Sequence, residues 1–236
     1  MKQKYGFPVV NTNNIYQVLS ELGIKPWLSI KEPMPLEEYK KTGLNRSQIN
    51  EIEKFSPKIE VELFRTPRKE TFAGFRATWP YGAGVHVFTI LPGDLVPIAA
   101  EFRHGAKVIS LILPGGVVDS KDNLASRMSQ AKKEFEDETG ILLKRIDPIE
   151  TQDTSGIPLS ARQINQRSSG FLGIVRHPLQ FKNIDLDYNE FLKVVLIPVK
   201  DLLQLIMRGQ VKDSSPIIST FMALYKTGRL ALLEKK

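Results

Sequence analysis

The chain has 236 residues, 42% of them hydrophobic and 25% charged, which suits one ordinary globular domain or such a domain with an appendage. It has no cysteine, which excludes disulfides, thiolate catalysis and cysteine-based zinc sites. Its formal net charge is +7, which favours anionic partners through long-range steering. The basic residues are dispersed, with nothing denser than pairs such as Lys132-Lys133, so a phosphorylated small molecule fits the charge better than a nucleic acid. A solvated basic surface fits it equally well. Three histidines, His86, His104 and His177, stand at no metal-ligand spacing, so a metal would be held by oxygen, as Mg²⁺ or Mn²⁺ is. No apolar run approaches the roughly 18 residues that span a bilayer, and no apolar core follows Lys2 and Lys4. The expectation is a cytoplasmic protein without a membrane segment.

In chain order, residues 1–57 read as short helices with breaks. Asn13 or Asn14 can cap a helix with Ile15, Val18, Leu19 and Leu22 on one face, closed by Gly23. Pro26, Pro33 and Pro35 interrupt the next stretch, and a second helix spans roughly Ser47 to Phe55. From Lys58 the period changes: Ile59, Val61 and Leu63 alternate with charged residues as in a half-buried strand. Gly84–Leu91 and Leu95–Phe102 are two further strands around a Pro92-Gly93-Asp94 turn, and Val108–Leu113 is a fourth. The loop Pro114-Gly115-Gly116 leads to a helix over Leu124–Thr139 that stops at Gly140. Strand-like runs return at Ile141–Leu143, Phe171–Val175 and Val194–Pro198. Two helices close the chain, Asp201–Arg208 and one capped by Ser215 that runs to Thr227.

The helix over 124–139 carries the chemistry. Leu124, Met128, Ala131 and Phe135 form one apolar stripe, while Glu134, Asp137 and Glu138 share a flank beside it. Like charges at i,i+4 cost a few tenths of a kcal/mol, and carboxylates in a last turn oppose the helix dipole by roughly 0.3–1 kcal/mol each. A divalent cation turns that repulsion into shared coordination; on the helix alone, a solvated charged face partly compensated by Lys132 and Lys133 is the better account.

The stretch from Gly116 to Ile141 resembles the Nudix box, G-x5-E-x7-R-E-U-x-E-E-x-G-U with U aliphatic or bulky apolar. Lys133-Glu134-Phe135-Glu136-Asp137-Glu138-Thr139-Gly140-Ile141 matches the second half position by position, with Lys133 for the arginine and Asp137 for the first glutamate of the pair. The first half departs from the pattern: five residues separate Gly116 from Asp122, but ten residues rather than seven then precede Lys133, and counting back puts Ala125 at the accessory glutamate.

The resemblance runs over residues 58–230. Ala99–Gly105 with Leu111–Gly116, and the C-terminal run Ile197–Asp213, look like the ADP-ribose pyrophosphatase and nucleotide-sugar hydrolase branch. It implies an α+β fold, a Nudix α/β/α sandwich with a mixed β-sheet over residues 58–236; the helical N-terminal extension over 1–57, read from its own residues, falls outside the resemblance. It further implies Glu134, Glu138 and Asp137 as catalytic carboxylates at Mg²⁺, with Asp137 either a further ligand or a group just behind the ligands, the Gly115 carbonyl as a metal ligand, and Arg103 and Gly116 at the substrate. Its chemistry is Mg²⁺-dependent hydrolysis of a nucleoside diphosphate compound, ADP-ribose or a nucleotide sugar, to a nucleoside monophosphate and a sugar phosphate. The branch also implies a homodimer paired through N-terminal elements.

One departure bears on the mechanism. Arg162 stands where the branch places a general-base glutamate, leaving Glu150, Asp153 and Glu134 as candidates. Two other readings stand beside the leading one: a Nudix fold that senses a nucleotide without cleaving it, and a hydrolase of dinucleotide cofactors, coenzyme A or capped RNA. His86 and His104 read as ordinary strand or turn residues, and Trp27 and Trp79 as packing residues that could also stack on a base.

Overall fold

A computed structural model of the chain describes residues 2–28, 35–41, 44–79, 83–103, 106–118, 123–150, 156–158, 167–187 and 190–230. The expectations on His104, Asp122, Asp153 and Arg162 lie outside the described residues.

The N-terminal segment is not purely helical. Strands β1 (Gln3–Lys4) and β2 (Phe7–Pro8) form a small antiparallel hairpin before α1 (Ile15–Glu21), α2 (Leu36–Tyr39) and α3 (Arg46–Phe55). Asn14 precedes α1 as expected, and Asn45 and Gln48 form a capping box at the start of α3. Nor does position 57 separate this segment from the core. Val10, Ile15, Val18 and Leu19 pack in one buried cluster with Ile98, Val195 and Leu205, and Val9 bridges Leu196 in parallel.

Strands β3 (Lys58–Arg65) and β4 (Thr71–Thr78) pair antiparallel as a two-stranded sheet. The alternation of Ile59, Val61 and Leu63 predicts a half-buried strand. The strand is there, but this apolar face is open, with the three side chains 67%, 71% and 69% exposed. Alternation reports a face that favours burial; only packing decides whether the chain itself covers it.

The Pro92–Asp94 turn joins β5 (Gly84–Thr89) to β6 (Leu95–Arg103), with Gly93 and Asp94 both at positive φ. The two strands nevertheless enter different sheets. One is a three-stranded antiparallel sheet of order β12-β6-β7, with β7 at Val108–Ile112 and β12 at Leu192–Pro198. The other holds β8 (Gly115–Val117), β5, β11 (Arg167–Val175), β9 (Leu143–Pro148) and β10 (Ile157–Pro158). In it β11 runs parallel to β5 and antiparallel to β9 and β10, so the sheet is mixed.

Helix α4 (Leu124–Thr139) packs across β5, β8 and β9 through Ala131 and Phe135, beside Val85, Val87 and Phe171. Helices α5 (Val199–Met207) and α6 (Ser214–Lys226) pack with α1 over the second core. The result is an α+β structure, an α/β/α sandwich with a mixed sheet, as the Nudix resemblance implies. Among the described residues, no helix is long and apolar enough to cross a membrane.

Candidate functional site

Helix α4 starts and stops where its sequence dictates. The Asn123 side chain accepts from the Ser126 N–H at 3.0 Å, and Gly140 closes the helix at φ +67. Phe135 and Ala131 are fully buried, and this fixes the rotation of the helix. Glu134 and Glu138, one turn apart, are thereby carried against β8. The Gly115 N–H donates to Glu138 Oε2 at 2.9 Å. A Cβ added at Gly116 would lie 2.7 Å from Glu134 Cδ, and one at Gly115 would lie 2.6 Å from the His86 Cα. Gly115 is therefore required for the backbone to approach β5 this closely, while a side chain at Gly116 would displace the Glu134 carboxylate.

A third carboxylate joins them. Glu190, just before β12, brings an oxygen within 4.8 Å of oxygens of Glu134 and Glu138. Two full charges at that distance repel by about 3–4 kcal/mol at an effective dielectric of about 20, roughly ten times the i,i+4 penalty on a bare helix. Burial pushes the Glu138 carboxyl up to about 9, with Glu190, Glu134 and Glu101 adding to the rise and the Gly115 N–H opposing it. Burial also raises Glu134, against the pull of Lys133 and of Gln130, whose amide donates to its Oε1. Three hard oxygen donors converging here, one of them 2% exposed, fit a hard divalent cation.

Asp137 does not stand with them. Its carboxylate pairs with Lys133 at 2.8 Å and with Lys182. Burial would raise it, but these two hydrogen-bonded cations hold it below the usual carboxylate range. At i−1 from Glu138 it is turned about 100° around the helix, enough to leave the trio. Helical spacing shows which residues share a flank, not which of them reach a common point. Glu190 escapes a reading of the sequence for the converse reason: 52 residues separate it from Glu138, and nothing local marks it beyond the acidic run Asp185, Asp187, Glu190 in a basic chain. Glu150 accepts from the Gly170 N–H at 3.4 Å and is no member of the trio.

Beside the trio lies a cleft of about 370 Å³, floored by Gly84, Gly115 and Gly116 and walled by Arg103, Ser168 and the start of α6. Arg103 is held at its rim: Nη1 lies 2.5 Å from Glu101 and Nε 3.5 Å from Asp213. Burial raises Glu101 and the Arg103 charge opposes this. Asp213 precedes α6 without capping it and instead accepts from Ser110 Oγ at 3.0 Å. His86, read from sequence as an ordinary strand residue, is buried in the cleft wall. Its Nδ1 lies 3.1 Å from Ser168 Oγ and its Nε2 2.6 Å from Ser219 Oγ. Burial lowers it to about 4, so it is a neutral ring tying β5 to β11 and α6. Trp27 packs on Phe102 and Phe191 with ring centroids 5.6 and 5.7 Å away.

The fold and the carboxylate site together define an α/β/α sandwich in which two carboxylates of α4 and one from the segment before β12 converge beside a glycine-bearing strand. Among solved structures this fold is similar to that of a protein described as an ADP compounds hydrolase. The two share a TM-score of 0.58 and 13% identity over 74% of this chain and 89% of that one, a likeness of fold. No family model matches the chain, and no curated protein matches it.

Proposed function

We propose that the protein is a divalent-metal-dependent hydrolase of the pyrophosphate linkage in a nucleoside diphosphate compound, ADP-ribose or a nucleotide sugar. The observation that carries this reading is the convergence of Glu134, Glu138 and Glu190 beside a cleft rimmed by Arg103. The similar fold of an ADP compounds hydrolase supports it, as does the likeness of residues 133–141 to the Nudix box.

In this reading Glu134, Glu138 and Glu190 hold Mg²⁺ or Mn²⁺, with the Gly115 carbonyl as a backbone ligand. The bound ion supplies charge neutralisation at the phosphate oxygens and a water of lowered pKa. Gly115 and Gly116 leave room for the diphosphate by presenting only backbone to the cleft. Arg103 offers its guanidinium fork to a non-bridging phosphate oxygen, exchanging the Asp213 contact at 3.5 Å and keeping Glu101. The neutral His86 holds the wall without adding charge. Water attacks one phosphorus, the bridging P–O bond breaks, and the two phosphates leave as a nucleoside monophosphate and a sugar phosphate. Of the candidate bases among the described residues, Glu134 stands at the site and Glu150 does not.

The test is release of alkaline-phosphatase-sensitive product from ADP-ribose, nucleotide sugars, NADH and diadenosine polyphosphates, with Mg²⁺ or with EDTA. Metal-dependent turnover of one compound, lost in Glu138→Gln, is expected. ADP-ribose binding without turnover of any compound would replace the enzyme by a nucleotide sensor.

We also propose a homodimer. Of the N-terminal elements, α1 lies in the chain's own core. The open face is that of the β3–β4 hairpin, where Ile59, Val61 and Leu63 stand opposite Ala77, Phe75 and Ala73. A two-stranded hairpin is marginal in water, and a second copy of the same face covers it.

A further inference from the structure

Glu190 reaches the trio on a segment that has no helix or ladder of its own. Between β11 and β12 the described chain is irregular save for one bridge, Phe181 to Ile141. What holds it is the C-terminal end of α4. The Leu142 N–H donates to Gln180 O at 2.9 Å, the Lys182 N–H to Gly140 O at 2.8 Å, and the Asp185 N–H to Asp137 O at 2.9 Å. The last carbonyls of a helix lack intrahelical partners, and this strap supplies donors to them. Gly140 is needed twice over: it takes positive φ, and a Cβ there would lie 2.6 Å from Lys182 O.

Side chains fasten both ends of the strap. At its start Lys182 Nζ pairs with Asp137, the carboxylate that the trio leaves out. At its end the Asp187 N–H donates to Glu190 Oε2 at 3.0 Å, while the Glu190 N–H donates to Asp187 O at 2.9 Å, which orients the carboxylate. Between them Leu186 packs against a buried cluster of Ala99, Ile112, Leu192 and Val194. Contacts thus fix the strap at Asp137 and again at Glu190, and Lys182 is not among the described residues lining the cleft.

We propose that Asp137 and Lys182 form an anchor that positions Glu190 for metal binding, so that Asp137 acts through Glu190 and is not itself a ligand. This rests on the metal-site reading above. It accounts for an acidic residue beside Glu138 that faces two lysines, an arrangement a metal ligand would not adopt. Outer partners of this kind typically change metal affinity 10–100-fold.

The experiment is a double-mutant cycle read by Mn²⁺ binding, with free Mn²⁺ followed by electron paramagnetic resonance, on wild type, Lys182→Met, Glu190→Gln and the double variant. Amide exchange reports the strap in the same proteins. Lys182→Met is expected to weaken Mn²⁺ binding about tenfold and to speed exchange at Asp185 and Asp187 while the middle of α4 stays protected. Lys182→Arg keeps the pairing and stays close to wild type. In the Glu190→Gln background Lys182→Met has no further effect, because the residue it positions has lost its charge. Lys182→Gln serves as a milder second neutral variant should Lys182→Met fold poorly. Wild-type affinity in a folded neutral Lys182 variant, or additive losses in the cycle, overturns the anchor alone. Wild-type protein that binds no Mn²⁺ overturns the metal site and the anchor with it.

Discussion

Replacing Glu138 by Gln separates what its buried carboxylate costs from what it binds. The side chain is 2% exposed, and burial, reinforced by Glu190, Glu134 and Glu101, lifts it from 4.5 to about 9 in the metal-free protein. The native state therefore keeps a proton that the unfolded chain releases. Stability present below about pH 4.5 is lost progressively as pH rises towards about 9. At about 1.4 kcal/mol per pH unit, the interval from 4.5 to pH 7 corresponds to about 3 kcal/mol. Gln carries no such charge and still offers the Gly115 N–H an acceptor. In EDTA at pH 7 the variant is expected to exceed wild type by about that amount, roughly 6–12 °C in Tm for a domain of this size. Saturating Mg²⁺ narrows or reverses the order, since a ligand at a hundred times its Kd adds about 2.7 kcal/mol to the protein that binds it. The assay is thermal or urea unfolding from pH 5 to 8.5, with EDTA or Mg²⁺. A variant less stable than wild type in EDTA, or an equal Mg²⁺ shift in both proteins, would refute the reasoning.

Gly116→Ala places a Cβ 2.7 Å from Glu134 Cδ; turnover is expected to fall at least about tenfold with a raised Mg²⁺ requirement, while circular dichroism stays native. Arg103→Ala removes the cation between Glu101 and Asp213. Steady-state kinetics should show KM raised by about one to two orders of magnitude, the loss of one charge-assisted phosphate contact; an unchanged KM would make Arg103 purely structural. Val61→Asp with Leu63→Asp puts charges on the open face of β3, and light scattering is expected to give a dimer for wild type and a monomer for the variant. Metal-dependent turnover in that monomer would place the complete site in one chain.

How much of this protein could be read before folding depends on the range of each interaction. Helix α4 runs over 124–139 as expected because its stripe, its Asn123 cap and its Gly140 stop all act within a few residues. Glu134 and Glu138, with Gly115 and Gly116, were legible for the same reason: helical spacing puts the first pair on one flank, and paired glycines mark a close backbone approach. The β3 strand was legible from its alternation, and its open face was not, since burial depends on which elements come to lie above it. Likewise the turn at 92–94 was evident, but not that β5 and β6 leave it for different sheets. Local sequence determined α4 and the strands β3, β5, β6 and β7, the two helical carboxylates and the oxygen character of the site. Tertiary structure alone decided that Glu190 completes the trio, that Asp137 turns away to Lys182, and that His86 lies in the cleft wall. Each of those is a contact between residues tens of positions apart, or a choice of side-chain direction within one turn, and neither leaves a periodic trace in the chain.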